Sequence, residues 1–274
     1  MRWLLIAVLC ISCPAPGKTL TMSLVDYPPR SMPGEPVNGT TPMLINALFK
    51  GSPYRIRFQF LPWVRTFWDL EKGNTDLLLY VPEYTTPEFR KKIDGGRPVF
   101  YSVVALFFNK TTHPEVEGVD SLTGLKGLHV GTMIKAPSAK EFRKHGLKVT
   151  ELTTQKQLFD MLLAKRLDLV EAEDVSGIHL IRGLPEAKQR LIGKIRKDFF
   201  VMGVHLAIAR HRRNHEDIRK LIDGNMTKML RSGDYAEIAK KNYGLYGMPQ
   251  DTIPYKDYGV TPARRSPAQT KAGR

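Results

Sequence analysis

The stretch from Leu61 to Lys92, LPWVRTFWDLEKGNTDLLLYVPEYTTPEFRKK, constrains the fold more than any other part of the chain. Pro62 suits the first helical position, where its missing N–H would be unpaired anyway. Trp63, Phe67 and Leu70 follow at helical spacing, and Gly73-Asn74 stops the helix before an apolar strand from Asp76 to Val81. The spacing predicts helix, turn, strand and charged loop. Thr85, Thr86 and Arg90 lie in that loop, at a strand's carboxyl end, where open α/β sheets bind small ligands. The loop reads as half of a ligand clamp.

The unit recurs. A shift of 92 positions superposes Phe67 on Phe159, Leu70 on Leu162, Asp76 on Asp168 and Leu77 on Leu169. Thr154 and Gln157 form a capping box for the second helix, and the strand from Leu167 ends in Glu171, Glu173 and Asp174. Two ordinary amphipathic units could match this well by chance, but two similar lobes facing each other is the economical reading.

The rest of the pattern fits around that pair. An alternating strand from Leu20 to Val25 delivers Tyr27 at its carboxyl end, either as an aromatic wall for a ligand or as a turn tyrosine packed on the following prolines. A helix is expected from about Pro42 to Lys50 and a strand over Tyr54–Phe60. Two long β-rich runs, VFYSVVALFFN (99–109) and FFVMGVHLAIA (199–209), bracket a complete α/β segment. An inserted lobe between two extended crossings implies a two-stranded hinge. The helix starting near Ser138 points free N–H groups at the cleft, where an anion is favoured. Two helices over Glu216–Tyr243, separated by Gly233 and capped by Asp234, should return to the first lobe.

Residues 1–17 carry Arg2, an apolar run from Trp3 to Ile11, and small residues before Lys18, which is the pattern of a cleaved secretory signal. Lipidation at Cys13 is the less favoured alternative, because Cys10 is a poor residue ahead of such a site. Both cysteines fall in this segment, so disulfides and thiol chemistry are excluded from the mature chain, and no later run is apolar and long enough for a membrane helix. The formal charge of +15 favours anionic partners, although Lys and Arg are scattered rather than striped, and no nucleic-acid motif is present. His211 and His215 have metal-ligand spacing, but Arg210, Arg212 and Arg213 would repel a cation, and neither a metal nor a cofactor is expected. Residues 248–274, rich in Pro, Lys and Arg without apolar periodicity, read as a disordered basic tail.

Taken in order, the motifs Tyr27-Pro28-Pro29, Asn38-Gly39-Thr40, Leu61-Pro62-Trp63, Lys72-Gly73-x-x-Asp76, Thr86-Pro87-Glu88-x-Arg90, Val99-Phe100-Tyr101, Leu125-Lys126-Gly127-x-x-Val130-Gly131 and Arg166-Leu167-Asp168 resemble the family 3 periplasmic solute-binding proteins, whose best-known members serve amino-acid ABC transporters. The resemblance covers about 20 to 245. It implies an α/β, two-lobed periplasmic-binding-protein fold (type II-like) with two hinge crossover strands: lobe 1 over 18–107, an inserted lobe 2 over 108–200, and return helices over 201–247. It also implies a periplasmic, monomeric protein that takes a small-molecule ligand and hands it to a membrane permease. By the same resemblance, Arg90 would grip a carboxylate, Tyr27 and Trp63 would sandwich the ligand, Glu173 with Asp174 would take an ammonium, and Ser138 would help to bind the carboxylate.

The sequence also departs from the family pattern. Leu78–Glu83 is bulkier than the family's small polar run, Gly95–Tyr101 replaces its usual Phe-Ser-Asp-Pro-Tyr, and Lys135-Ala136-Pro137-Ser138 replaces a glycine-threonine turn. These changes point away from an ordinary α-amino acid, and Lys135 and Arg97, if they face the cleft, would suit a second anionic group. Three readings follow: solute capture for an ABC-type transporter, a sensory or partner-binding protein on the same scaffold, or a periplasmic enzyme of the dehydratase or transglycosylase-associated kind. No convergent acid–base pair is visible for the third.

Overall fold

A computed structural model describes residues 18–134, 136–243 and 252–261. In chain order, the first part comprises β1 (Lys18–Leu24), α1 (Thr40–Phe49), β2 (Tyr54–Phe60), α2 (Trp63–Glu71), β3 (Leu77–Tyr80), α3 (Pro87–Lys91), β4 (Ile93–Asp94) and β5 (Pro98–Asn109). The inserted part comprises β6 (His129–Met133), α4 (Ser138–Lys144), β7 (Lys148–Leu152), α5 (Gln155–Leu163), β8 (Leu169–Glu173), α6 (Asp174–Arg182), α7 (Glu186–Gln189) and β9 (Ile192–Lys194). The chain returns through β10 (Phe200–Ala209), α8 (His215–Ser232) and α9 (Asp234–Tyr243).

The strands hydrogen-bond in the order β2-β1-β3-β10-β5-β8-β6-β7. At one end β2, β1 and β3 run parallel, and at the other β8, β6 and β7 do the same. Two long antiparallel strands join these halves. The first half of β5 pairs with β10, from Pro98 opposite His205 to Val104 opposite Phe200. Its second half pairs with β8. β10 in turn leaves β5 for β3, with a register shift at Val204/His205. Each strand therefore belongs to both lobes, which is the expected pair of hinge crossings.

The pleat of the strands sorts the core. On β3, Leu77 joins Leu20, Ile45, Leu48, Ile218 and Met226 on one face, while its neighbour Leu78 joins Leu70, Phe89 and Ile93 on the other. β5 repeats the device in the inserted lobe: Phe107 packs on Phe159, Leu162 and Val170, whereas Leu106 and Phe108 pack on Val130, Phe142 and Leu169. Near-continuous apolar runs are what strands covered on both faces by helices require.

The internal repeat has a structural counterpart. The Asp76 carboxylate accepts the Thr21 N–H of β1 at 2.8 Å, and the Asp168 carboxylate accepts the His129 N–H of β6, also at 2.8 Å. In both lobes the aspartate before the strand ties down the start or middle of its parallel neighbour. Each is balanced by a cationic or titratable side chain, Arg212 for Asp76 and His113 for Asp168. Thr154 caps α5 by accepting the Gln157 N–H, and Gly233 ends α8 at φ +88°, a left-handed conformation that favours glycine.

The expectation for the tail is corrected over 252–261. Ile253, Tyr258 and Val260 are buried in the first lobe's core, the Tyr101 hydroxyl donates to Asp257 at 3.0 Å, and Arg97 stacks over the Tyr258 ring at 5.3 Å. Tail composition hid this because three well-spaced apolar residues are enough to dock a strap when a groove already exists. The remainder of the tail and the expected signal over 1–17 lie outside the described residues.

Candidate functional site

Parallel strands bring their carboxyl ends to one edge, so the first lobe presents the loops after β1, β2 and β3 toward the ends of β6 and β8. The candidate site is the space between those two edges, bridged by β5 and β10.

On the first lobe, Trp63 opens α2 at 41% exposure and packs edge-on against Phe67, with centroids 4.7 Å apart. The indole thus both caps the core and offers a free face. Tyr84, 39% exposed, sits in the loop after β3 and donates its hydroxyl to Met202 Sδ on the crossing strand at 3.2 Å. Its phenol is pushed up to about 12, first by burial and then by Glu171, Glu83 and Glu173. Two of those carboxylates belong to the opposite lobe, which places Tyr84 across from them.

The clamp loop is internally braced. Arg90 is exposed, and its Nη1 donates to the Thr85 carbonyl at 2.7 Å, the Pro82 carbonyl at 3.1 Å and Thr85 Oγ1 at 3.2 Å. Thr85 donates to the Pro82 carbonyl, and Thr86 caps α3 by accepting the Phe89 N–H at 3.2 Å. One edge of the guanidinium thus holds the loop in shape.

On the inserted lobe, Ser138 at the start of α4 and Thr132 on β6 donate one hydroxyl to each oxygen of the buried Glu171. Burial pushes the Glu171 carboxyl above its ordinary range, against the opposing effect of those two donors. Glu173, at the end of β8, accepts on a single oxygen from Arg30 Nε at 2.6 Å and Ser102 Oγ at 2.9 Å, and the same oxygen lies in ion-pair contact with Arg30 Nη2 at 2.5 Å. Arg30 lies in the loop after β1 and rests over the Phe100 ring at 4.5 Å. Asp174 begins α6 and accepts the Val175 N–H at 2.6 Å. Its carboxyl is pushed up to about 6 by burial and by Glu173.

The lobes touch beside these groups. Gln155 Nε2 donates to the Tyr27 hydroxyl at 3.3 Å, and Ser176 Oγ donates to the Pro28 carbonyl at 2.9 Å. Burial, with Glu173 adding to it, also raises the Tyr27 phenol, so Tyr27 works as a neutral hydroxyl between lobes.

The structure therefore gathers Tyr27 and Glu173 at one inter-lobe contact, with Asp174 buried next to Glu173 and Ser138 bonded to Glu171, while Trp63, Thr85, Thr86 and Arg90 lie on the first lobe. Arg97 is turned to the tail strap, and Lys135 lies outside the described residues. Arg30, Ser102, Thr132 and Tyr84 were not singled out in advance, and Glu171 was read only as one of the acidic residues that end its strand. Arg30 could have drawn notice as a charge three residues beyond Tyr27 in a proline-rich loop. Among the described residues no cluster of His, Cys, Asp and Glu could hold a metal ion, and no helix is long and apolar enough to cross a membrane.

The sequence profile of the bacterial extracellular solute-binding proteins, family 3, matches residues 21–245. The chain belongs to that family. No curated protein matches it by sequence. Among solved structures, it is similar to the L-cystine solute receptor of Neisseria gonorrhoeae in the unliganded open conformation, at TM-score 0.64 and 14% identity, covering 84% of this chain and 95% of that one. It is similar to the substrate-binding protein of an amino acid ABC transporter, at TM-score 0.60 and 16% identity over 82% of this chain and 99% of that one. A histidine kinase sensor domain with similarity to periplasmic binding proteins gives TM-score 0.63 and 17% identity over 84% and 97%. At such identities the likeness carries the two-lobed fold alone. The tail strap at 252–261 lies beyond the family match.

Proposed function

We propose that this family 3 solute-binding protein is exported to the periplasm, where it captures a small polar, anionic solute between its lobes and delivers it to an ABC-type permease. The observation that carries the reading is the facing pair of strand edges on a two-strand hinge, with Trp63 and Tyr84 partly exposed on one side and the Ser138–Glu171–Thr132 group on the other. Arg90 supports an anionic ligand: one nitrogen braces the loop while the side chain stays exposed, so the planar fork can still meet a carboxylate. Thr85, Thr86 and Ser138 would add hydroxyls, and Trp63 would flank the ligand's body. Capture proceeds without chemical change. Closure needs only the few dihedrals of β5 and β10 to move.

A second reading is favoured by one observation. Arg30–Glu173, Gln155–Tyr27 and Ser176–Pro28 already join the lobes. A protein whose halves meet through its own side chains could report to a partner, and the kinase sensor domain shares the fold.

The test is thermal unfolding of the purified chain against dicarboxylates, amino acids and phosphorylated or aromatic acids. A ligand at 100 times its Kd stabilises by about 2.7 kcal/mol. Arg90→Ala should abolish that gain. A gain retained in full would remove Arg90 from the site, and no gain with any solute would favour the partner-binding reading.

A further inference from the structure

We propose that Arg30 sets the ligand class of the cleft: by filling the Glu173 carboxylate from within the chain, it restricts the ligand to small organic acids that carry no free ammonium. The inference rests on the capture reading above and narrows it.

The geometry is that of an occupied cation site. Glu173 is 6% exposed, and its Oε1 accepts from Arg30 Nε and Ser102 Oγ. The second nitrogen of the same guanidinium, Nη2, stands in ion-pair contact with Oε1 at 2.5 Å; Arg30 is 8% exposed and lies over the Phe100 ring. The pair spans the lobes, from the loop after β1 to the end of β8. A ligand ammonium seeking this carboxylate would have to displace a group that is covalently held in place and so loses no translational freedom. It would also take the Glu173 carboxylate from a buried guanidinium, which is costly.

Oε2 of Glu173 is buried and accepts no hydrogen bond among the described residues. A cation placed there would lie beside Arg30 and meet a carboxylate whose charge is already balanced. A neutral hydroxyl donor meets neither penalty. On the inserted lobe, the two carboxylates beside Glu173 are already engaged: each oxygen of Glu171 accepts a hydroxyl, and Asp174 accepts the N–H of its own helix. Across the cleft, the exposed Arg90 remains for an acid group.

The decisive comparison uses matched pairs that differ only in the α-substituent: malate and aspartate, lactate and alanine, 2-hydroxyglutarate and glutamate. Binding to the full chain is followed by calorimetry and thermal unfolding. In the wild type, the hydroxy acid of the preferred pair should bind at least about tenfold tighter than its amino acid. Arg30→Ala should reverse that order by emptying the carboxylate. Methylammonium chloride should then stabilise Arg30→Ala, but not the wild type, relative to sodium chloride of equal strength. Arg30→Gln, which keeps a polar side chain in place, substitutes if Arg30→Ala does not fold. Wild-type preference for the amino acid, lost in Glu173→Gln, would overturn the proposal. If the wild type takes none of the six acids, the methylammonium arm decides alone: stabilisation confined to the Arg30 variant upholds the filled site, and no stabilisation overturns it. Loss of solute capture altogether would instead show in the broader screen, so the two failures are separable.

Discussion

Replacing Asp174 by Asn should change how stability depends on pH more than it changes stability itself. Asp174 is 1% exposed at the start of α6, and burial together with the neighbouring Glu173 pushes its carboxyl up to about 6, with Lys194, the Val175 N–H and Arg30 only partly opposing them. The ordinary value is 3.8. The native chain therefore holds this proton more tightly than the unfolded chain and binds more protons between about pH 4 and pH 6. Stability linked to Asp174 is fully present below about pH 4 and is lost as pH rises through about 6. A gap of about 2 pH units corresponds to roughly 3 kcal/mol, at order-of-magnitude precision. The Asn variant buries a new –NH2 whose cost is the same at every pH, so the comparison lies in the slopes rather than the absolute values. Urea unfolding of both proteins in steps from about pH 4 to pH 7.5, with m-values checked for constancy, gives the two profiles. The wild type should lose about 3 kcal/mol relative to Asp174→Asn across the window. Glu171 titrates in the same sense in both proteins and cancels in the difference. Parallel profiles would refute the claim that a buried, charge-crowded carboxyl lies at this end of β8.

Two further substitutions test the packing that positions the site. A Cβ built on Gly177 of α6 falls 2.4 Å from Phe107 Cε2 and 2.5 Å from its Cζ. Gly177→Ala should therefore destabilise, because overpacking of about 1–3 kcal/mol outweighs a helix-propensity gain of at most about 1 kcal/mol; unchanged or raised stability in urea would show that α6 and β5 are not in contact. For the tail strap, Tyr258→Ala should cost about 3 kcal/mol in the same assay, whereas the exposed Lys256→Ala stays within about 0.5 kcal/mol. Equal effects at both positions would mean that the strap does not dock.

The architecture was largely legible before any coordinates. Proline and glycine punctuation, the helical spacing of Phe67 and Leu70, the Thr154 cap and two long β-rich runs are local signals, and each depends on residues within one or two turns of each other. The repeat of Asp76 at Asp168 was also visible, though its role in bonding the adjacent parallel strand was not.

Spatial pairing is what the linear text could not supply. Arg30 and Glu173 stand 143 positions apart and meet only because the loop after β1 and the end of β8 face each other across the hinge. Composition alone could not show that Ile253, Tyr258 and Val260 would find a groove on the first lobe, since burial depends on the surface they meet. The sequence alone determined where helices and strands begin, how they alternate, and that a helix–strand unit recurs, because those follow from backbone geometry and side-chain periodicity. Tertiary structure alone decided which charges cancel, which hydroxyls meet which carboxylates, and which side chains are left to a ligand. Electrostatic partners are chosen by distance in space, and that distance exists only once the chain has closed on itself.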